Sequence, residues 1–289
     1  MCSRRGRPRR SALLSAVTRD PDIESYYGRG LERGRLEAGG GLEFIRTREL
    51  LARFLPRPPA IVVDIGGGAG AYAVPLAAEG YEVHLLDPIS LHVEQALTAA
   101  RAEGITLADA VVGDARRLPY PDDSAHAALL LGPLYHLTER ADRVAALREA
   151  RRVLRPGGVL AAAAISRFAS TFDGLARGFL LDSRFEQVVQ CDVRDGQHRN
   201  PEPEARPEWF TTAYFHRPEE LRRELEEAGF GVEAVLAVEG PAAFRPELDA
   251  WLTDHDRRQA VLRAVRRVEA ESSLLGASAH LLAAGRVPE

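Results

Sequence analysis

Four glycines fall within five positions of the segment VVDIGGGAGAY, residues 62–72, directly after an apolar run that ends in an aspartate. Glycine is placed where the backbone turns sharply or lets another group come close. A glycine-rich turn between a strand and a helix can hold a dinucleotide pyrophosphate at the helix N-terminus. The spacing of Gly66, Gly68 and Gly70 departs from that fingerprint, although Ala71 satisfies its looser form, so the loop alone leaves the ligand open.

Asp64, two residues before Gly66, narrows the choice of ligand. A carboxylate at the end of the strand would repel a pyrophosphate and would suit an ammonium or sulfonium group. S-adenosylmethionine (SAM) carries both groups and has no phosphate. Asp87 ends the next apolar run, VHLLD, about 20 residues beyond the loop, where an acidic residue can accept hydrogen bonds from both ribose hydroxyls. Asp114 follows a third run, at a position where it could accept from an adenine amino group.

These residues need a scaffold that brings the ends of successive strands together. From residue 60 onward, apolar strand-like runs alternate with helical patterns, and such alternation predicts a parallel, doubly wound sheet. We predict an α/β fold: a Rossmann-like doubly wound sheet of about seven strands with an antiparallel last strand, plus helical N-terminal and inserted cap segments. The predicted helices include 69–80, one capped by Ser90, and one stopped by Pro156-Gly157-Gly158.

The motifs DIGGGAG, LLDP, GDARRLPYPDDS, LLLGPLYHL and RVLRPGG follow one another between residues 58 and 165. In this order and spacing they resemble the class I SAM-dependent methyltransferases of the UbiE-like methyltransferase-11 group. The sequence departs from that group at His126, where an acidic residue is usual, at a position peripheral to the chemistry. The resemblance implies SAM as cofactor. It also implies the following contacts: Asp64, Gly66, Gly68 and Gly70 with the methionine part, Asp87 with the ribose, Pro88 and Ile89 with the adenine, Asp114 and Ala115 with the adenine edge, and Leu131 and Gly132 facing the reacting methyl.

Three side chains are candidate catalytic groups on the acceptor side. His136 follows the fourth predicted strand and can take a proton near neutral pH; a structural alternative is that it caps a helix beginning near Thr138. His216 is the second candidate base and Tyr135 the third. Aromatic and basic residues in the flanking segments are candidate substrate contacts: Tyr27, Arg46 and Tyr214. Ordinary core packing and solvated helix faces explain such residues equally well.

We expect the chain of 289 residues to divide into three parts. They are a disordered basic tail (1–20), an N-terminal helical lid (21–56) and a SAM-dependent methyltransferase domain (57–289) with residues 166–210 as an inserted cap.

The net charge of −4 argues against nucleic-acid and membrane partners. All 38 basic residues are arginine, so no lysine is available for a Schiff base or P-loop. No His and carboxylate cluster has ligand spacing, and no metal is expected. Two cysteines without a CxxC pair suit a reducing cytoplasm.

The sequence favours methyl transfer to a small-molecule acceptor, with oxygen or nitrogen as the acceptor atom. The segment after the fourth strand, Gly132-Pro133-Leu134-Tyr135, lacks the (N/D)PP(Y/F) motif of nucleobase amino-methyltransferases. Alternatives are a non-catalytic SAM-binding protein and a methyltransferase acting on RNA or protein. A nicotinamide-dependent oxidoreductase is a weaker alternative, because Asp64 disfavours a pyrophosphate. The oligomeric state is left open.

Overall fold

A computed structural model of the chain describes residues 41–289. The predicted tail 1–20, the first part of the predicted lid, and Tyr27 therefore lie outside the described residues. Within them, seven strands form one sheet: β1 Ile61–Ile65, β2 Glu82–Asp87, β3 Asp109–Val112, β4 Ala125–Leu130, β5 Leu154–Ile165, β8 Gly231–Ala237 and β9 His280–Arg286. Their order in the sheet is β3-β2-β1-β4-β5-β9-β8, with β9 antiparallel to both of its neighbours. The predicted α/β sheet with an antiparallel last strand is confirmed.

Ten α-helices are present in the described chain. They are α1 Leu42–Phe54, α2 Ala73–Ala78, α3 Ser90–Ala102, α4 Pro133–His136, α5 Arg140–Val153, α6 Ala169–Arg177, α7 Ser183–Asp195, α8 Pro218–Glu227, α9 Leu248–Thr253 and α10 His255–Val268. None of these helices is both long and apolar enough to cross a bilayer.

The central strands are apolar on both faces because helices cover both sides of the sheet. On one face, Val63 and Leu130 pack with Leu147 of α5 and Leu221 of α8. On the other face, the neighbouring strand positions pack against α2, α3 and Leu51 of α1. Burial on both sides fixes the register of the strands, so the carboxyl ends of β1, β2, β4 and β5 meet at one edge of the sheet.

The structure differs locally from the predicted element ends. The helix after the glycine loop begins only at Ala73, because the backbone from Gly66 to Gly70 passes three times through positive φ. Ser90 is not a cap: Ile89 occupies the N-cap position of α3, and the carboxylate of Asp87 accepts the Ile89 N–H. Helix α5 ends at Val153, and β5 begins at Leu154, before the predicted Pro-Gly-Gly stop.

The predicted cap, residues 166–210, contains α6, α7 and the 3₁₀ turn Pro207–Trp209. A short hairpin then pairs β6, Gln197–His198, with β7, Ala213–Tyr214, so the irregular region ends later than predicted. We call residues 166–214 the insert. The short helix α4 contacts β7, and the side chain of Gln197 donates to the Thr138 carbonyl at 3.2 Å. The insert therefore lies against the segment that follows β4.

Candidate functional site

The glycine loop lies at the carboxyl edge of the sheet and is held by β2. The Gly66 N–H donates to the Leu86 carbonyl at 2.7 Å, and the Gly68 N–H donates to Oδ2 of Asp87 at 2.9 Å. Gly66 and Gly68 have φ of 72° and 55°, in the left-handed region that favours glycine. A side chain at Gly68 would enter open space, so this part of the loop exposes backbone that a ligand can approach closely.

Other glycines of the loop serve packing. A Cβ at Gly70 would lie 3.1 Å from the Ala96 side chain of α3, and one at Gly66 would lie 2.6 Å from Pro133. A Cβ at Gly67 would lie 2.7 Å from Oδ2 of Asp64, so the loop lies directly over that carboxyl. Gly70 is buried against α3, and its predicted contact with the methionine part of SAM stays a prediction. Gly67 is not among the predicted site residues, and its position next to the Asp64 carboxyl becomes evident only in the folded structure.

Asp87 is buried and its carboxylate already organises the loop. Oδ1 accepts hydrogen bonds from the Ile89 N–H at 2.8 Å and pairs with Nδ1 of His92 at 3.0 Å, while Oδ2 accepts from Gly68. An ionised carboxylate offers about four acceptor positions. One position therefore stays open on Oδ2, which leaves room for one ribose hydroxyl without disturbing the loop.

Asp64 differs from Asp87 in having an unused oxygen. Its side chain is 1% exposed, and Oδ2 has no hydrogen-bond partner within the part of the chain that the structure describes. Burial, and then the nearby charge of Asp87, raise the pKa of Asp64 to about 7. A cationic group arriving near this carboxyl would favour its charged form.

The remaining predicted cofactor contacts lie around the same edge. Pro88 and Ile89 are half-buried after β2, and Leu131 and Gly132 are half-buried after β4. Asp114 is tied to Arg116, which donates to Oδ1 from Nε at 3.0 Å and to Oδ2 from Nη2 at 2.8 Å; Ala115 beside it is buried. Because Arg116 occupies both oxygens of Asp114, the predicted contact with an adenine amino group would have to share them.

Aromatic side chains border the segment after β4. The ring of Tyr135 lies 4.6 Å from that of His136, and the ring of Phe210 lies 6.4 Å and 6.0 Å from these two. The Tyr135 hydroxyl lies beside Gly132, 3.6 Å from where a Cβ would stand. His136 is the last residue of α4, and the N-cap of α5 is Glu139, so His136 does not cap the next helix. We call Tyr135, His136 and Phe210 the aromatic wall.

The second candidate base, His216, lies in the protein interior with no exposed surface. Its Nε2 lies 3.2 Å from Glu224, and Arg143 donates to both oxygens of Glu224. Burial lowers the pKa of His216 and outweighs the opposing effect of Glu224. For Glu224, burial acts to raise the pKa, but hydrogen bonds from His216 and Arg143 prevail and lower it to about 2. His216 is therefore a buried, neutral structural residue, which corrects its assignment as a base.

Two predicted substrate contacts also take part in ion-pair networks. The Tyr214 ring stacks on Arg143, whose Cζ lies 3.6 Å from the ring centroid, and its hydroxyl lies 3.1 Å from Nη2 of Arg167. Arg46 is 1% exposed: its guanidinium pairs with Glu49 and Glu269, and its Nε donates to the Val238 carbonyl at 3.2 Å. A substrate contact by Arg46 is contradicted, because its donors are used inside the protein.

One cluster could share a cation although no sequence spacing indicated it. Glu43 of α1, Glu239 after β8 and His280 of β9 offer ligand atoms that all lie within 4.8 Å of one another. Nδ1 of His280 lies 2.6 Å from Oε1 of Glu239, and Oε2 accepts from the Ser278 hydroxyl at 3.1 Å. Hydrogen bonds thus already engage Glu239, and the expectation of a metal-free site stays a prediction.

The chain is similar to known proteins over its central part. Residues 62–158 match a family described as a methyltransferase domain. Over 157 residues the chain is 35% identical to a ubiquinone/menaquinone biosynthesis C-methyltransferase from Caulobacter, covering 47% of this chain and 61% of that protein. Over 147 residues it is 36% identical to 27-O-demethylrifamycin SV methyltransferase from Amycolatopsis mediterranei, covering 48% and 52%. The matches thus span less than two thirds of either relative.

The fold is shared over a longer stretch. A SAM-dependent methyltransferase structure from Methanosarcina mazei superimposes with a TM-score of 0.55 at 19% identity, covering 83% of this chain and 97% of that one.

Proposed function

We propose that this chain, whose residues 62–158 match a methyltransferase-domain family, is a class I SAM-dependent methyltransferase. It transfers a methyl group from SAM to a small-molecule acceptor and releases S-adenosylhomocysteine. The observation that carries the proposal is the carboxyl Asp64 beneath the open glycine loop. It is buried, one of its oxygens has no partner among the described residues, and Asp87 lies at the neighbouring strand end.

These residues fit SAM. Gly68 exposes backbone to open space, Asp87 has an acceptor position for a ribose hydroxyl, and Asp64 offers a carboxyl to a cationic group. The bound cofactor supplies an electrophilic methyl group. Because burial and the charge of Asp87 raise the pKa of Asp64 to about 7, the folded protein holds a proton there near neutral pH, and we expect cofactor binding to release it.

The acceptor side is formed by the aromatic wall. Flat aromatic surfaces suit an apolar or conjugated molecule, with few polar groups to fix its orientation. The names of the two curated relatives refer to small molecules, ubiquinone and menaquinone biosynthesis in one case and a rifamycin in the other. We infer that the acceptor is a small metabolite with a hydroxyl or amine, whose proton His136 accepts during transfer.

The decisive experiment measures S-adenosylhomocysteine by mass spectrometry after the chain is incubated with SAM and a panel of phenols, hydroquinones, macrolide alcohols and amines. The matched control is Gly68→Asn, because asparagine tolerates positive φ and its side chain would fill the open space over the loop. We expect product with the wild type and none with the control.

The same assay separates the alternatives. A non-catalytic SAM-binding protein binds SAM by calorimetry and produces no S-adenosylhomocysteine with any acceptor. A methyltransferase for RNA or protein transfers radiolabelled methyl into total RNA or denatured cell protein, and not into the small-molecule panel. Either result would reject the small-molecule proposal.

The base is tested with His136→Ala and, as a matched change next to it, Tyr135→Phe. If His136 is the base, kcat falls by about 10²–10⁴-fold while SAM affinity stays unchanged. The Tyr135 hydroxyl lies beside Gly132, so a comparable loss in Tyr135→Phe would transfer the role to Tyr135. Less than about a threefold loss in both variants would mean that alignment alone supplies the rate.

A further inference from the structure

His198 lies in β6 and is almost completely buried, with 1% of its surface exposed. Both of its ring nitrogens face oxygen atoms. Nδ1 lies 2.9 Å from Oδ2 and 3.2 Å from Oδ1 of Asp192, and Nε2 lies 2.8 Å from the Trp209 carbonyl oxygen. The ring also stacks on Phe215, with centroids 4.6 Å apart and planes 9° apart.

Hydrogen-bond accounting fixes the number of protons in this pair. A carbonyl oxygen only accepts, so Nε2 carries a proton. A neutral imidazole would then turn the lone pair of Nδ1 toward the carboxylate of Asp192, which also only accepts. The contact at Nδ1 therefore contains a second proton, which a doubly protonated imidazole facing an ionised carboxylate provides.

His216 provides an internal contrast. Its Nε2 faces Glu224, but its Nδ1 has no partner among the described residues, so one proton satisfies every contact that the ring makes. Both histidines are buried beside a carboxylate, yet only His198 has acceptors on both nitrogens. The difference follows from the Trp209 carbonyl, which is the second acceptor.

The Asp192–His198 pair joins three parts of the insert next to the aromatic wall. Asp192 belongs to α7, His198 to β6, and Trp209 ends the 3₁₀ turn. The residue after Trp209 is Phe210, whose φ of 70° is rare for a residue with a side chain and is kept only where surrounding contacts enforce it. Asn200 donates from Nδ2 to the Phe210 carbonyl at 2.8 Å, and this hydrogen bond also holds the backbone of Phe210 in place.

We propose that Asp192 and His198 form a buried carboxylate–imidazolium pair that positions Phe210 against Tyr135 and His136 on the acceptor side of the site. The pair is a positioning device, since it acts on the aromatic wall through Trp209 and the following residue, Phe210. Its effect on the acceptor rests on the proposed function, whereas the protonation of His198 and the position of Phe210 do not.

The first test is the protonation state, read from the imidazole ¹⁵N signals of histidine-labelled protein at pH 7.5 without ligands. The signals of His198 are assigned by their loss in His198→Phe, which keeps an aromatic ring on Phe215. We expect two protonated nitrogens in the wild type. In Asp192→Asn a neutral imidazole satisfies both contacts, because the amide can donate to Nδ1, and we expect one protonated nitrogen. A neutral His198 in the wild type would overturn the proposal.

The second test asks whether the pair positions the aromatic wall. In His198→Phe we expect shifted His136 ring signals and faster hydrogen exchange over residues 206–212. We expect acceptor KM to rise about tenfold or more, with SAM affinity unchanged. The separate variant Asp192→Asn keeps both hydrogen bonds of His198, and we expect it to show the same His136 signals and the same acceptor KM as the wild type. The matched control is His84→Phe, since His84 pairs with Glu82 at 3.3 Å on the surface and should change none of these readouts.

Unchanged His136 signals and exchange in His198→Phe would reject the positioning role, whatever the assay shows. If the signals shift and no acceptor is ever methylated, the proposed function fails and the positioning of Phe210 stands. Should His198→Phe not fold, Asp192→Leu removes the acceptor at Nδ1 while the ring stays in place, and the same readouts apply.

Discussion

Asp64, under the glycine loop, has a carboxyl oxygen without a partner in the described chain, whereas Glu224, next to the insert, is held by Arg143 and His216. Both side chains are buried. Their pKa values move in opposite directions: burial raises that of Asp64 to about 7, and at Glu224 the hydrogen bonds overcome burial and lower it to about 2.

The contrast separates a region arranged for a ligand from a region arranged for stability. A buried acidic group without a partner costs free energy, which a cationic ligand can recover on binding. Buried carboxylates around the insert are instead paired with arginine or histidine, as in Glu224 with Arg143 and Asp192 with His198. Removing one partner there leaves a charge buried alone.

The largest expected effect is therefore in the paired region. Glu224→Ala leaves the Arg143 guanidinium buried without its carboxylate, and we expect the free energy of unfolding to fall by about 3–5 kcal/mol, measured by urea denaturation. Glu226→Ala, on the exposed face of the same helix, is the control and should cost less than about 0.5 kcal/mol. A loss of less than about 1 kcal/mol at Glu224 would mean that this pair is not what stabilises the region.

On the ligand side, Asp87→Asn removes the charge and keeps one oxygen, which can accept from the Gly68 N–H or from the Ile89 N–H but not from both. Charged hydrogen bonds contribute about 1.5–3 kcal/mol, so SAM affinity measured by calorimetry should fall about ten- to a hundredfold. Asp114→Asn should cost less than about tenfold, because Arg116 already occupies that carboxylate. Equal losses at the two positions would contradict this ranking.

The third prediction concerns stability and pH at Asp64. A folded pKa of about 7, above the unfolded value of 3.8, means that the folded state keeps a proton which the unfolded state loses, so stability falls as pH rises from about 4 to 7. Asparagine lacks this titration. Asp64→Asn should gain stability over the wild type by on the order of 2 kcal/mol between pH 5 and pH 8, while binding SAM more weakly. A stability difference that does not change with pH would show that the Asp64 pKa is ordinary.

The smallest effect is expected at Glu43, Glu239 and His280. Because Glu239 is already hydrogen-bonded by Ser278 and His280, we expect exhaustive chelation to change turnover by less than about twofold. Loss of activity with EDTA, restored by Mn²⁺ in the wild type but not in His280→Gln, would instead identify a metal centre there.

Local patterns were sufficient to predict the sheet and the cofactor edge. Apolar runs at strand length, alternating with helical periodicity, predicted the doubly wound sheet, and the glycines located the loop after its first strand. Asp87 could be placed because a residue at the end of a parallel strand reaches that edge whatever surrounds it. These features depend on residues close together in the chain and on the period of the pattern.

The use of each charged side chain was decided only by the tertiary structure. Arg46, interpreted as a substrate contact, pairs with Glu269, which lies far away in the chain. His216, interpreted as a base, is fully buried and pairs with Glu224. The second acceptor on His198 is a backbone carbonyl that the sequence does not display. The type of a side chain sets which hydrogen bonds it can make. Its burial and the partner that it meets determine whether it binds a ligand or stabilises the fold. Burial and partner are decided only when segments distant in the chain pack together.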